Sequence, residues 1–143
     1  MMLDPKEIFK PVACEVGQKA TFSKTIEPFD VYEFAGISGD FNPAHLNEIY
    51  GNKSMFKQRI AHGMIIAGLI SGALTMKTPG AGTVVKKQSV AFKKPVLFND
   101  TITVNLEVLE KTEDTARIAT ICTNQNNEEV VTGEVTVKLP RIL

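Results

Sequence analysis

An acid, an amide and an imidazole fall within one short stretch of the 143-residue chain. They are Asp40, Asn42 and His45, in Ser38-Gly39-Asp40-Phe41-Asn42-Pro43-Ala44-His45. A carboxylate and an imidazole at that spacing can hold one water between them. The carboxylate can take a proton while the imidazole orients or relays another, which is general acid–base chemistry. A second stretch, Ala61-His62-Gly63-Met64, opens the most apolar run of the chain. If a helix starts there, the Gly63 N–H has no intrahelical partner and can donate to a carbonyl oxygen, stabilising the oxyanion that forms from it. Ser71 lies two turns further along the same stripe, where it could support the reacting groups from behind or simply fill a tight contact. Lys86, Lys87, Lys93 and Lys94 form a basic set that could hold phosphates.

Each of these residues also has a plainer reading. Asn-Pro is an ordinary helix start, Asp is common in turns, and His45 could be a satisfied core histidine. Gly63 could be a packing glycine, and the lysines a solvated strand edge. His62 reads as a structural partner without a catalytic role. Two His and two Cys, spaced without pattern, make a zinc site improbable. There is no GxSxG, Walker loop or GxGxxG after a strand.

Several elements must position these groups. Residues 1–18 read as an irregular lead-in broken by Pro5, Pro11 and Gly17. Lys19 to Ile26 alternates as a strand with one wetted face. Phe29 to Ile37 carries Val31, Phe34, Ala35 and Ile37 at helical spacing and stops near Ser38-Gly39. Asn42-Pro43 reads as an N-cap and first helical position, giving a second short helix to about Tyr50. Gly51 to Gln58 reads as a loop or lid. Ile60 to Met76 is apolar almost all round, a helix surrounded by protein. Its small residues, Gly63, Ala67 and Ser71, and Gly68 and Gly72, recur four apart and allow close approach of a neighbour. Thr83–Lys93, Thr101–Leu109, Thr115–Thr123 and Glu129–Leu139 read as strands of an antiparallel meander.

The expected fold class is therefore α+β: residues 1–143 as one domain, with a bent antiparallel five-stranded sheet wrapped around the long helix and short helices before it. An open sheet edge invites a partner, so a homodimer is expected. Composition fits an ordinary globular protein, 43% hydrophobic and 22% charged. Zero formal net charge argues against a nucleic-acid binder. The apolar run falls short of the ~20 residues of a membrane span. Cys14 and Cys122 read as free thiols, and a cytoplasmic location is expected.

Taken together, Phe34-x-x-Ile37-Ser38-Gly39-Asp40-Phe41-Asn42-Pro43-Ala44-His45, Ala61-His62-Gly63-Met64 and Gln88-Ser89-Val90-Ala91-Phe92-Lys93-Lys94-Pro95-Val96 resemble the MaoC-like (R)-specific enoyl-CoA hydratases. The resemblance runs from about Phe22 to Val108. It implies a hot dog fold, usually dimeric, that adds water to trans-2-enoyl-CoA to give (R)-3-hydroxyacyl-CoA without metal or redox cofactor. By position it implies Asp40 as acid/base, His45 as its partner on the water, Asn42 in the same hydrogen-bonding cluster and the Gly63 N–H as oxyanion donor. Ala44 and Gly51 depart from the usual pattern, and Gly51 is expected to loosen its loop. Competing readings are the reverse dehydration, thioester hydrolysis and a non-catalytic acyl-thioester binding domain.

Overall fold

The computed structural model describes Met2, Asp4 and residues 14–141. Pro5 and Pro11 of the lead-in lie outside the described residues. In chain order the elements are β1 (Lys19–Thr25), α1 (Pro28–Ser38), α2 (Pro43–Leu46), α3 (Glu48–Lys53), α4 (Gly63–Met76), β2 (Val84–Phe92), β3 (Thr101–Lys111), β4 (Thr115–Thr123) and β5 (Glu129–Lys138).

The strands form one antiparallel sheet in the order β1-β3-β4-β5-β2. The expected meander holds for β3, β4 and β5 only. β2 does not neighbour β3: it pairs with β5 at the far edge. Residues 93–100 then carry the chain back across to β3. The weak alternation of β2 has the same cause. It is an edge strand exposed along nearly its whole length, whereas the inward side chains of β3 are buried one after another.

α4 lies against the inner face of this sheet. Ile66, Ile70, Ala73 and Leu74 share a core with Ile102, Val104, Leu106, Ile118, Val135 and Val137. The helix also meets both edges. A Cβ added to Gly72 would sit 3.7 Å from the Phe22 ring of β1. The Gln88 side chain of β2 donates to the Ala67 carbonyl at 3.5 Å. Five flat strands would span roughly 19 Å at about 4.8 Å per gap, while a helix is about 10–12 Å across. One helix can touch both edges only because the sheet curls around it. This is the hot dog arrangement, with the sheet left open.

Three element boundaries differ from expectation. The long helix begins at Gly63 and not Ile60, because Ile60 bridges to Leu97 and the Ala61 N–H donates to Val96 O at 2.8 Å. The helix expected to run to Tyr50 is broken at Asn47, whose side chain accepts from the Tyr50 N–H and caps a separate α3. α3 runs on to Lys53, into the expected loop. Ile37, placed on the apolar face of α1, is 85% exposed.

Candidate active site

The Asp40 turn is built from hydrogen bonds between close neighbours. α1 stops at Gly39, whose φ of 76° lies in the left-handed region that favours glycine. The Ser38 hydroxyl donates to Phe34 O at 2.7 Å and accepts from the Asp40 N–H at 3.1 Å. Asp40 Oδ1 accepts from the Asn42 N–H at 3.1 Å. Asn42 Oδ1 in turn accepts from the Ala44 N–H at 3.0 Å, as an N-cap does. Asn42 thus fixes both the carboxylate before it and the short helix after it. Asp40 remains 48% exposed at its side chain.

His45, in the first turn of α2, is buried. Its Nδ1 lies 2.7 Å from Ile60 O. A carbonyl can only accept, so Nδ1 carries the hydrogen and Nε2 of the neutral ring keeps its lone pair. The segment that supplies this carbonyl is itself tied down. The Ile60 N–H donates to Ala44 O at 3.1 Å, closing a reciprocal pair between α2 and residue 60. Gly51 makes this approach possible. A Cβ there would lie 2.7 Å from Arg59 N and 2.8 Å from the Gln58 carbonyl carbon. The expected loosening is therefore corrected: this glycine lets the 58–59 backbone close down.

The second half of the site is the start of α4. His62 is its extended N-cap residue and Gly63 the first helical residue, so the Gly63 N–H has no intrahelical acceptor. The Phe92 ring lies on the Gly63 α-carbon, 2.8 Å from where a Cβ would stand. His62 is 2% exposed and hydrogen-bonds from Nε2 to the Asp40 backbone carbonyl at 2.9 Å.

These contacts bring the two stretches together. Asp40, His45 and His62 each present one oxygen or ring nitrogen, all within 4.8 Å of one another. A single water with legs of about 2.8 Å bridges such a gap. His45 and Gly63 line one mostly apolar cleft of about 410 Å³, together with Phe56, Met64, Phe92 and Val131. Asp40 and Asn42 are not part of its lining. Asp40 reaches it through its closeness to His45.

Other expected residues separate. Lys93 and Lys94 line the cleft, and Lys94 pairs with Glu128, while Lys86 and Lys87 stand exposed earlier on β2 and do not line it. Ser71 is exposed and lines no part of the cleft. The small-residue spacing on α4 serves unlike neighbours: Gly63 meets Phe92, Gly72 meets Phe22, and Gly68 faces open space. Of the side chains considered for closing the acyl end, Phe56 and Phe92 line the cleft. Met55 is 85% exposed, Leu69 belongs to the core, and Ile65 lines a separate cavity beside α1. The Ile60 carbonyl was not foreseen, because a backbone acceptor leaves no side-chain signature. His62, a structural partner by sequence, is the residue that joins the two stretches here.

A family model described as the MaoC-like domain matches residues 11–130. The chain belongs to the MaoC-like family. It is similar to an (R)-specific enoyl-CoA hydratase of Rhodospirillum rubrum, 44% identical over 126 residues that cover 87% of each chain. A 3-hydroxybutyryl-CoA dehydratase of Methylorubrum extorquens is 41% identical, covering 89% of this chain and 82% of the relative. Among solved structures, an (R)-hydratase from A. caviae involved in PHA biosynthesis superposes with a TM-score of 0.85 at 42% identity. That match covers 90% of this chain and 98% of that one.

Proposed function

We propose that this MaoC-like chain is an (R)-specific enoyl-CoA hydratase, adding water to trans-2-enoyl-CoA to give (R)-3-hydroxyacyl-CoA. One observation carries the reading. His45 and the first N–H of α4 line the same apolar cleft, with Asp40 within water-bridging reach of the couple.

The Gly63 N–H donates to the thioester carbonyl oxygen and draws electron density from the C2–C3 double bond. A water held between Asp40 and His45 bonds through its oxygen to C3. Its proton passes to the Asp40 carboxylate, while His45 Nε2, left with the lone pair in the tautomer that donates from Nδ1 to the Ile60 carbonyl, accepts the water's other hydrogen bond. The enolate then takes a proton at C2 from the same couple and the same face. The sum is one water consumed, with no redox change and no metal or organic cofactor. Asn42 acts by holding the Asp40 carboxylate, and Lys93 and Lys94 are placed to meet the phosphates of CoA.

Run backwards, the same steps dehydrate a 3-hydroxyacyl thioester. The name of the M. extorquens relative supports this as a second reading. The working form is a homodimer with each chain a single domain: β2 leaves a sheet edge unpaired, and Met64, Gly68, Ser71 and Thr75 form an exposed stripe along α4. Among the described residues, no helix is long and apolar enough to cross a membrane. With both cysteines free and buried, the reading places the protein in the cytoplasm, where a carbon-storage polymer could draw on its product.

Crotonyl-CoA tests this directly. The purified protein should remove the enoyl absorbance without releasing free thiol. Release of CoA would make it a thioesterase, and no change at any acyl length would leave a binding module.

A further inference from the structure

Two histidine rings stack at this site, and one of them has no evident reason to be a histidine. His62 packs against Phe34, at 4.9 Å between ring centroids and tilted 58°, and against His45, at 3.9 Å and 32°. It is 2% exposed. It stands at the N-cap of α4 yet makes no side-chain capping bond. Its Nδ1 is buried and meets no hydrogen-bond partner among the described residues. An unpaired buried polar atom costs stability, and an apolar ring of the same shape would avoid that cost. What an apolar ring could not do is donate. Nε2 is 2.9 Å from the Asp40 carbonyl, which can only accept, so Nε2 carries the hydrogen. The same nitrogen lies 4.0 Å from Asp40 Oδ2.

We propose that His62 is a positioning residue for the reaction. Its Nε2–H ties the Asp40 turn to the start of α4, and its ring face sets the plane of the His45 imidazole. The two stretches lie 22 residues apart in sequence, and this contact links them directly. With its donor committed and its other nitrogen walled in, His62 has no route by which to pass a proton to substrate. It therefore acts through Asp40 and His45. The proposal rests on the hydratase reading of the site.

The test compares two substitutions. His62→Phe keeps the volume and the stack but removes the donor. His62→Gln places an amide N–H at similar reach. His62→Phe should lower kcat about 10²-fold with KM little changed, as expected for misplaced reacting groups, and His62→Gln should recover most of that loss. If both variants fold and His62→Gln is no better than His62→Phe, or if His62→Phe turns over at wild-type rate, the positioning role is overturned. Should His62→Phe fail to fold, His62→Asn, too short to reach the carbonyl, takes its place.

Backbone amide NMR of the unliganded protein gives a readout without turnover. The Asp40 and Asn42 resonances should move in His62→Phe and return in His62→Gln. Unmoved resonances in folded His62→Phe overturn the positioning role whatever the activity. If the variants show this pattern yet the wild-type protein hydrates no enoyl thioester, the hydratase reading is overturned and the tie from His62 to the Asp40 turn is supported.

Discussion

The two halves of the site are held by opposite means. The Asp40 turn is exposed and local: Ser38, Gly39, Asp40 and Asn42 bond to one another and to Phe34, Ala35 and Ala44. The start of α4 is buried and long-range: Ala61 bonds to Val96, Ile60 to Ala44 and His45, and His62 to Asp40. In the proposed mechanism the carboxylate of the acid–base couple is on the exposed half, where water arrives, while its buried partner His45 is held by the long-range half. The proposed oxyanion donor, the Gly63 N–H, is on the long-range half, where a lower dielectric would strengthen its hydrogen bond. The difference separates what short sequence spacing can build from what needs a closed fold.

The comparison breaks most sharply at the proposed reacting groups, Asp40 on the local half and His45 where the two halves meet. Asp40→Asn and His45→Gln should each cut turnover by about 10²–10⁴-fold, read as kcat on crotonyl-CoA with folding checked by circular dichroism. Near-native rates in both would remove these residues from the mechanism.

A break on the long-range side acts through the backbone. Gly51→Ala pushes a Cβ against Arg59 N, and a backbone atom cannot swing aside. It should lose about 1–3 kcal/mol in urea unfolding, and lower turnover because the Ile60 carbonyl moves away from His45. Gly63→Ala meets only the ring of Phe92, which is 53% exposed and can rotate away, so its stability loss should be the smaller of the two. Equal losses would mean that the Phe92 ring is as fixed as backbone.

Removing the local cap is milder again. Asn42→Ala should cost about 1 kcal/mol in the same urea experiment. A lower kcat at unchanged KM would show that the cap also places Asp40.

Cys122 lies in the buried core behind the site. Burial pushes its thiol up from the ordinary 9.0 to about 12. The native protein therefore binds more protons than the unfolded chain between those values. The stability from this thiol is full below pH 9 and is lost as pH rises toward about 12. Thiol labelling of the native protein at pH 8 should leave Cys122 unmodified, and denaturant should expose it. Rapid labelling without denaturant would place the thiol in an accessible pocket.

Much of this was legible in the chain. The alternation of Ile102, Val104, Leu106 and Val108 marks β3 because each inward side chain is buried between the sheet and the helix. Asn42-Pro43 marks the start of α2 because capping is a contact between neighbours. β2 was harder to place, because an edge strand exposed on both faces has no pattern to impose. Apolarity alone starts α4 at Ile60, three residues before the helix begins. Ile60 and Ala61 are as apolar as the helix, and only their pairing with Leu97 and Val96 makes them extended. Lys86 and Lys87 could not be told from Lys93 and Lys94 by type. The bend of the chain after Phe92 alone brings one pair to the cleft.

By itself the sequence determined which groups could react, the local turn that presents the carboxylate, and the apolar helix that needs a cover. Those properties depend on residues within a few positions of each other. The tertiary structure alone decided that Ile60 offers its carbonyl to His45, that Phe92 lies on Gly63, and that His62 reaches Asp40. These contacts join residues brought together by the curl of the sheet, and no pattern along the chain records a distance that closes only on folding.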